Sequence, residues 1–157
     1  MAEYVFECET ELPRPRAEVF DFFSRAENLE RITPSSVGFA MITPLPIEMG
    51  VGTLIDYTIS LHAIPIKWRT EITVWNPPNE FEDIELRGPY KQWIHRHTFE
   101  DTGRGTTLMR DNVRYRLPLE PLGDIMQWLV HREISGIFNY RTEVIREIFK
   151  EEKPAES

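Results

Sequence analysis

Residues 92–116, QWIHRHTFEDTGRGTTLMRDNVRYR, form two alternating segments separated by a polar turn that contains two glycines. Alternation is typical of β-strands, because successive side chains point to opposite faces. The turn-forming residues 101–105 predict that the two segments pair as an antiparallel hairpin. The even-numbered positions are too rich in arginine to face a core, so the odd-numbered positions are expected inside. These inward residues are Trp93, His95, His97, Phe99, Met109, Asp111, Val113 and Tyr115.

The length of this turn predicts the register of the hairpin. A five-residue loop at 101–105 pairs Glu100 with Thr106 and fixes all later pairs. The expected pairs are Phe99 with Thr107, His97 with Met109, His95 with Asp111, and Trp93 with Val113. Two imidazoles and a carboxylate are therefore predicted on the inner face of a sheet.

The preceding strand allows two registers. A two-residue turn at Pro89 and Tyr90 would place Glu82 beside His97 on the inner face. A shift of one residue would instead turn Asp83 inward, because side chains alternate along a strand. The first register makes Glu82 a candidate site residue, whereas the second would bring in Phe81, Asp83, Glu85 and Arg87.

The other alternating segments predict a meander of about six or seven strands. Residues 4–12 form a first half-buried strand, and 53–61 and 66–74 form two more. Short turns such as 76–79 separate the later strands, and this spacing favours antiparallel pairing because parallel strands need long crossovers.

Helical spacing occurs in three places. Two short helices are expected around residues 19–23 and 29–32, after the first strand. Apolar residues then recur every three or four positions over 122–149, which predicts one long amphipathic helix that Gly136 could bend. The polar tail 151–157 is expected to fray. The order of elements predicts an α+β fold in which this helix covers one face of the sheet.

Composition narrows the function. The chain has 157 residues, which suits a single domain, here assigned to residues 1–150. Its formal net charge of −8 argues against nucleic acid or an anionic membrane as the main partner. The single cysteine, Cys8, favours a reducing compartment, and no apolar run is long enough to cross a bilayer. We expect a cytoplasmic protein.

The order of elements resembles the START-like helix-grip superfamily, also called SRPBCC, over nearly the whole chain. The local marks of the resemblance are residues 49–53 (MGVGT), Pro77-Pro78 before Phe81, Gly88-Pro89-Tyr90 leading to Trp93, His95, His97 and Phe99, Gly105-Thr106-Thr107, Asp111, Tyr115, Leu117-Pro118-Leu119, and Leu122-Gly123. Together they look like the polyketide cyclase/dehydrase or uncharacterised ligand-binding branch. The resemblance implies a deep hydrophobic cavity between the sheet and the last helix, and it implies no single chemistry or cofactor.

An inward carboxylate beside inward imidazoles allows three interpretations. The residues could form a buried structural hydrogen-bonded pair, anchor a ligand in an apolar pocket, or perform acid–base catalysis with Asp111 fixing the tautomer of His95 or His97. The spacing of the two histidines also suits a metal, but without an assured third ligand no metal is predicted. The candidate ligand contacts are Tyr57, Trp68, Glu82, Trp93, His95, His97, Phe99, Met109, Asp111 and Tyr115.

Three functions remain open. The favoured hypothesis is binding or transport of a small hydrophobic ligand of lipid, polyketide or aromatic type. A cyclase or dehydratase using His95, His97 and Asp111 is the alternative. A co-chaperone-like module would instead use the outer arginines, which are Arg96, Arg110, Arg114 and Arg116. A homodimer is an open option.

Overall fold

A computed structural model describes residues 2–61, 63–119 and 122–151. Its strands are β1 (Tyr4–Leu12), β2 (Ala40–Met41), β3 (Leu54–Leu61), β4 (Ile64–Asn76), β5 (Glu80–Arg87), β6 (Gln92–Asp101) and β7 (Thr107–Arg116). Its α-helices are α1 (Arg16–Phe23), α2 (Asn28–Arg31), α3 (Leu122–Ile125) and α4 (Gln127–Glu151), with a short 3₁₀ turn at Ser35–Val37.

The seven strands form one antiparallel sheet in the order β1-β7-β6-β5-β4-β3-β2. Helix α4 packs against this sheet, and α1 and α2 follow β1 as two short helices. The α+β helix-grip architecture expected from the sequence is thus confirmed. Among the described residues, no helix is both long and apolar enough to cross a membrane.

The register of the β6–β7 hairpin differs from the prediction by two residues. His97 lies opposite Asp111, and His95 lies opposite Val113. The strand extends to Asp101, and the loop begins one residue later, where the Thr102 and Thr106 hydroxyls lie 2.5 Å apart. A shift of two preserves the face of every side chain, because strands have a period of two. The predicted inward residues therefore remain inward.

The register between β5 and β6 differs by one residue from the first of the two predicted registers, which placed Glu82 inward, so that prediction is wrong. Asp83 lies opposite His95, and Phe81 lies opposite His97, so Asp83 faces inward and Glu82 faces outward. The connecting loop is longer than two residues and is held by the Tyr90 amide, which donates to Glu85 Oε1 at 3.0 Å. This register buries Phe81 to 5% exposure in the core, which the other register would have turned outward.

The predicted helix at 122–149 is divided in two. The Met126 amide donates to the Gly123 carbonyl, and the Leu129 amide donates to the Met126 carbonyl. These bonds span three residues instead of four, so a tight turn separates α3 from α4. Helix α4 then continues through Gly136 without interruption.

The packed core leaves a gap between sheet and helix. One apolar cluster joins α1 to the end of α4, including Phe20 and Phe149, and a second joins β1 and β7 to the middle of α4 through Phe6 and Phe138. A third, smaller cluster lies on β3 and β4 around Ile55. The space between these clusters is the cavity described below.

Three of the four outer arginines, Arg96, Arg110 and Arg116, are paired with carboxylates. Arg96 contacts Glu80 at 2.6 Å, and Arg110 contacts both Glu9 and Glu100 at 2.8 Å. These ion pairs offset much of the positive charge that the sequence places on this face. The arrangement weakens the case for a basic docking patch.

Candidate ligand-binding site

A cavity of about 180 Å³ lies between the inner face of the sheet and α4. Trp68, His95 and His97 line its inner wall as buried side chains, and Ala26 and Ile32 of the segment 25–39 are buried as well. Arg25 of that segment is exposed, so the cavity wall meets solvent there. The lining residues used below are Tyr57, Trp68, Phe81, Asp83, Tyr90, Trp93, His95, His97, Ile134, Ile137, Phe138 and Arg141.

Aromatic rings form one continuous wall of the cavity. Tyr57 and Trp68 are stacked with ring centroids 5.9 Å apart, and Trp68 meets Trp93 edge-to-face at 5.5 Å. Tyr90 packs against Trp93 at 4.8 Å. The Trp68 indole N–H donates to the Thr70 hydroxyl at 3.0 Å, so this ring is fixed in orientation. Such a wall favours flat, apolar guests.

Two histidines and two aspartates form a network at the inner wall. His95 Nε2 is 2.7 Å from Asp111 Oδ1, and His97 Nε2 is 2.7 Å from Asp83 Oδ2. The two imidazole rings stack with centroids 3.6 Å apart, and Phe81 stacks on the other face of His97 at 4.0 Å. His97 Nδ1 lies 3.4 Å from Asp111 Oδ1, so the two pairs form one connected unit.

The two histidines differ in charge preference. Burial lowers the pKa of His95, and the neighbouring His97 lowers it further, which together outweigh the Asp111 carboxylate. Burial acts in the same direction on His97, but the carboxylates of Asp111 and Asp83 prevail and raise its pKa. His97 is therefore the preferred cation of the network, and His95 is the preferred neutral imidazole.

Both aspartates are stabilised as carboxylates. Burial alone would raise the pKa of Asp111, but the hydrogen bond from His95 and the nearby His97 imidazole hold it below its usual range. The pKa of Asp83 is lowered in the same way, with burial outweighed mainly by His97. Hydrogen bonds to the ionised form make these buried charges tolerable.

Arg141 of α4 brings a second cation to the cavity. Its guanidinium carbon lies 5.0 Å from the centre of the Phe138 ring, and its positive charge helps to lower the pKa of Asp83. Its Nε is buried without a hydrogen-bond partner. The cavity is thus apolar along most of its wall and polar where the network and Arg141 face it.

The structure separates the ten predicted contact residues into two groups. Five of them line the cavity, namely Tyr57, Trp68, Trp93, His95 and His97. The other five do not. Asp111 lies behind the histidines, Phe99 and Met109 belong to the core cluster around α1, Tyr115 is buried beside Tyr4, and Glu82 faces the outside of the sheet.

The sequence analysis missed Arg141, and it placed Asp83 inward only in the less favoured of the two registers. Arg141 follows Ile134, Ile137 and Phe138 at helical spacing, and all four line the cavity. An arginine in an otherwise apolar helix stripe is the signal that could have identified it, because such positions normally face the core.

Three groups of the network could ligate a metal ion. Asp83, His95 and His97 each offer one ligand atom, and these atoms lie within 4.8 Å of one another. Two imidazoles and a carboxylate suit a divalent transition metal, and Asp111 would orient His95 from behind. A metal would have to replace the proton between His97 and Asp83, and the nearby Arg141 cation opposes added positive charge. The arrangement therefore favours protons over a metal.

Comparison with known proteins supports the fold. No protein-family model matches the sequence, and no curated protein is significantly similar to it. An aromatase/cyclase from Streptomyces sp. R1128 superimposes with a TM-score of 0.78 at 9% identity, covering 98% of both chains. Norcoclaurine synthase from Thalictrum flavum, in complex with dopamine and hydroxybenzaldehyde, gives 0.71 at 15% identity over 98% of this chain and 90% of that one. Major latex-like protein 151 from Panax ginseng gives 0.66 at 14% identity over 94% and 97%.

These neighbours define the class of fold. The chain has the helix-grip fold of the START-like, or SRPBCC, superfamily, and the resemblance seen in the sequence is confirmed at this level. An aromatase/cyclase is among the structures that share it. At such low identities the likeness establishes architecture, and function has to be argued from the site.

Proposed function

We propose that the protein binds a small, flat, mostly apolar molecule of aromatic type between the sheet and α4. The observation that carries the proposal is the aromatic-lined cavity of about 180 Å³ with a hydrogen-bonding network at its inner wall. An apolar cavity of about 150 Å³ is large enough to hold benzene, so this space accommodates at least one aromatic ring. Apolar walls with a few fixed polar groups are the usual composition of a small-molecule site.

The structural neighbours support the aromatic character of the ligand. Norcoclaurine synthase was determined with dopamine and hydroxybenzaldehyde, which are small aromatic molecules, and another neighbour is an aromatase/cyclase. A cytoplasmic location is part of the proposal, and its support is the lone cysteine, Cys8, which is free.

Titration with the neutral fluorescent probe N-phenyl-1-naphthylamine tests the proposal. Ile137→Trp would fill the cavity from α4. Because overpacking costs free energy, the affinity for the probe should fall by about tenfold or more. Val5→Trp is the control, because Val5 is 50% exposed on the outer face of β1. Equal probe affinity in the two variants, or no binding to the wild type, would refute the proposal.

Acid–base catalysis is the second candidate, and the opposite pKa shifts of the two stacked histidines favour it. If His95 donates through Nε2 to Asp111, its Nδ1 lone pair is free to act as a base. His97 stays hydrogen-bonded to Asp83, so its positive charge rather than its proton would act on the negative charge that develops on the substrate. The supported reaction class is proton abstraction next to a carbonyl group.

Deuterium exchange into 2-tetralone, followed by proton NMR, tests this second candidate. The wild type should exceed the buffer rate, and His95→Gln should return the rate to that of buffer while still binding N-phenyl-1-naphthylamine. Exchange that is the same with and without wild-type protein would exclude catalysis on this substrate class and leave the binding function intact.

A further inference from the structure

Among the described residues, the Arg141 cation in the cavity has no ion-pair partner that explains its position. Arg141 continues the cavity-facing stripe of α4 after Ile134, Ile137 and Phe138, at a spacing that elsewhere on this helix carries apolar residues. The network of histidines and aspartates does not account for it, because Asp83 and Asp111 already accept hydrogen bonds from His97 and His95.

The guanidinium is incompletely satisfied. Within the described part of the chain, no carboxylate lies within ion-pairing distance of Arg141, and its Nε is buried without a hydrogen-bond partner. Its guanidinium carbon lies 5.0 Å from the centre of the Phe138 ring, which is a cation–π distance. A buried donor without an acceptor is unfavourable, so an acceptor supplied by a ligand would be strongly bound.

We propose that Arg141 binds the carboxylate of the ligand, and hence that the protein takes a small aromatic carboxylic acid. This inference rests on the proposed binding function and names the substrate class of the same site. A carboxylate matches the planar fork of a guanidinium and can accept two parallel hydrogen bonds. The ring of the ligand lies against the aromatic wall formed by Tyr57, Trp68 and Trp93.

A matched pair of competitors tests the inference. 1-Naphthoic acid and 1-naphthalenemethanol share one ring system, and at pH 8 only the acid is charged. Each is used to displace N-phenyl-1-naphthylamine from the wild type, from Arg141→Met and from the control Arg132→Met, which removes an exposed arginine of α4 outside the cavity.

The wild type and Arg132→Met should bind the acid about tenfold or more tightly than the alcohol, as expected for a charge-assisted pair. Arg141→Met should lose that preference and keep its affinity for the alcohol. Equal binding of acid and alcohol by the wild type, or a preference that survives in Arg141→Met, overturns the inference. Failure of the neutral probe to bind would instead refute the binding function itself.

A measurement on the unmodified protein covers the case in which Arg141→Met does not fold. The Arg141 Nε–H resonance, assigned through Arg141→Lys, should shift when the acid is added and stay in place with the alcohol. A resonance that responds to neither compound, or to both alike, contradicts the carboxylate assignment.

Discussion

Asp111→Asn tests whether the buried network stabilises the fold. The side chain of Asp111 is 7% exposed, accepts a 2.7 Å hydrogen bond from His95, and lies 3.4 Å from His97 Nδ1. The substitution keeps the shape of the side chain and removes its charge. His97 then retains Asp83 as a partner for its positive charge.

The expected loss is about 3 kcal/mol in the free energy of unfolding. Removing one partner of a buried ion pair typically costs about 3–5 kcal/mol, and the lower end applies because Asp83 still holds His97. Folding lowers the pKa of Asp111. The ionised side chain therefore contributes its full stabilisation above the pKa of the unfolded state, near 4, and this stabilisation is lost as pH falls through the pKa of the folded state. The difference in unfolding free energy between Asp111→Asn and the wild type should therefore have its full size at pH 6.

Urea denaturation at pH 6, followed by circular dichroism, measures this difference. Asp56→Asn is the matched control, because Asp56 pairs with Arg69 at 2.8 Å near the surface and should contribute at most about 1 kcal/mol. The reasoning fails if Asp111→Asn is no more destabilising than Asp56→Asn.

Three more variants test other parts of the account. The pKa of His97 is raised in the folded protein, so the stability of the wild type should decline as pH rises above about 6.5. In urea titrations at pH 6 and pH 8, His97→Gln should show a smaller decline. Burial raises the pKa of Glu85 to about 7, so Glu85→Gln should gain about 1 kcal/mol over wild type at pH 8, allowing for solvent screening, and little at pH 4, as the same titration measures. Phe138→Ala should cost about 3–5 kcal/mol in unfolding free energy, yet bind aromatic probes bulkier than those the wild type binds. If the variant keeps the wild-type preference for smaller probes, the ligand does not bind beside Phe138.

The inner face of the hairpin could be predicted because strand alternation is a local property. The arginines at even positions exclude those positions from the core, whatever the exact pairing is. The register was wrong by two residues, and this error left the faces of His95, His97 and Asp111 unchanged.

The neighbouring strand shows why a smaller error had a larger effect. Both faces of β5 carry charge, so composition did not decide between Glu82 and Asp83. The deciding contact was nonlocal, namely the burial of Phe81 in the core, whereas the local hydrogen bond from the Tyr90 amide to Glu85 holds the longer loop. A one-residue shift then exchanged the two acidic side chains.

The division of aromatic residues between wall and core also depended on tertiary packing. Phe99 and Trp93 share one face of β6, yet Phe99 packs against Phe20 and Phe23 of α1 whereas Trp93 lines the cavity. The alternation of side chains along β6 does not indicate which part of the strand α1 covers. Sequence pattern therefore identified the face but not the extent of the site.

A crystal soaked with 1-bromonaphthalene tests most directly whether the space beneath α4 accepts a guest. Anomalous scattering locates the bromine without reference to any assumed binding mode. We expect its peak between the sheet and α4, in contact with Trp93 and Phe138. A peak confined to the protein surface, or none in a crystal that still diffracts well, would contradict the central claim.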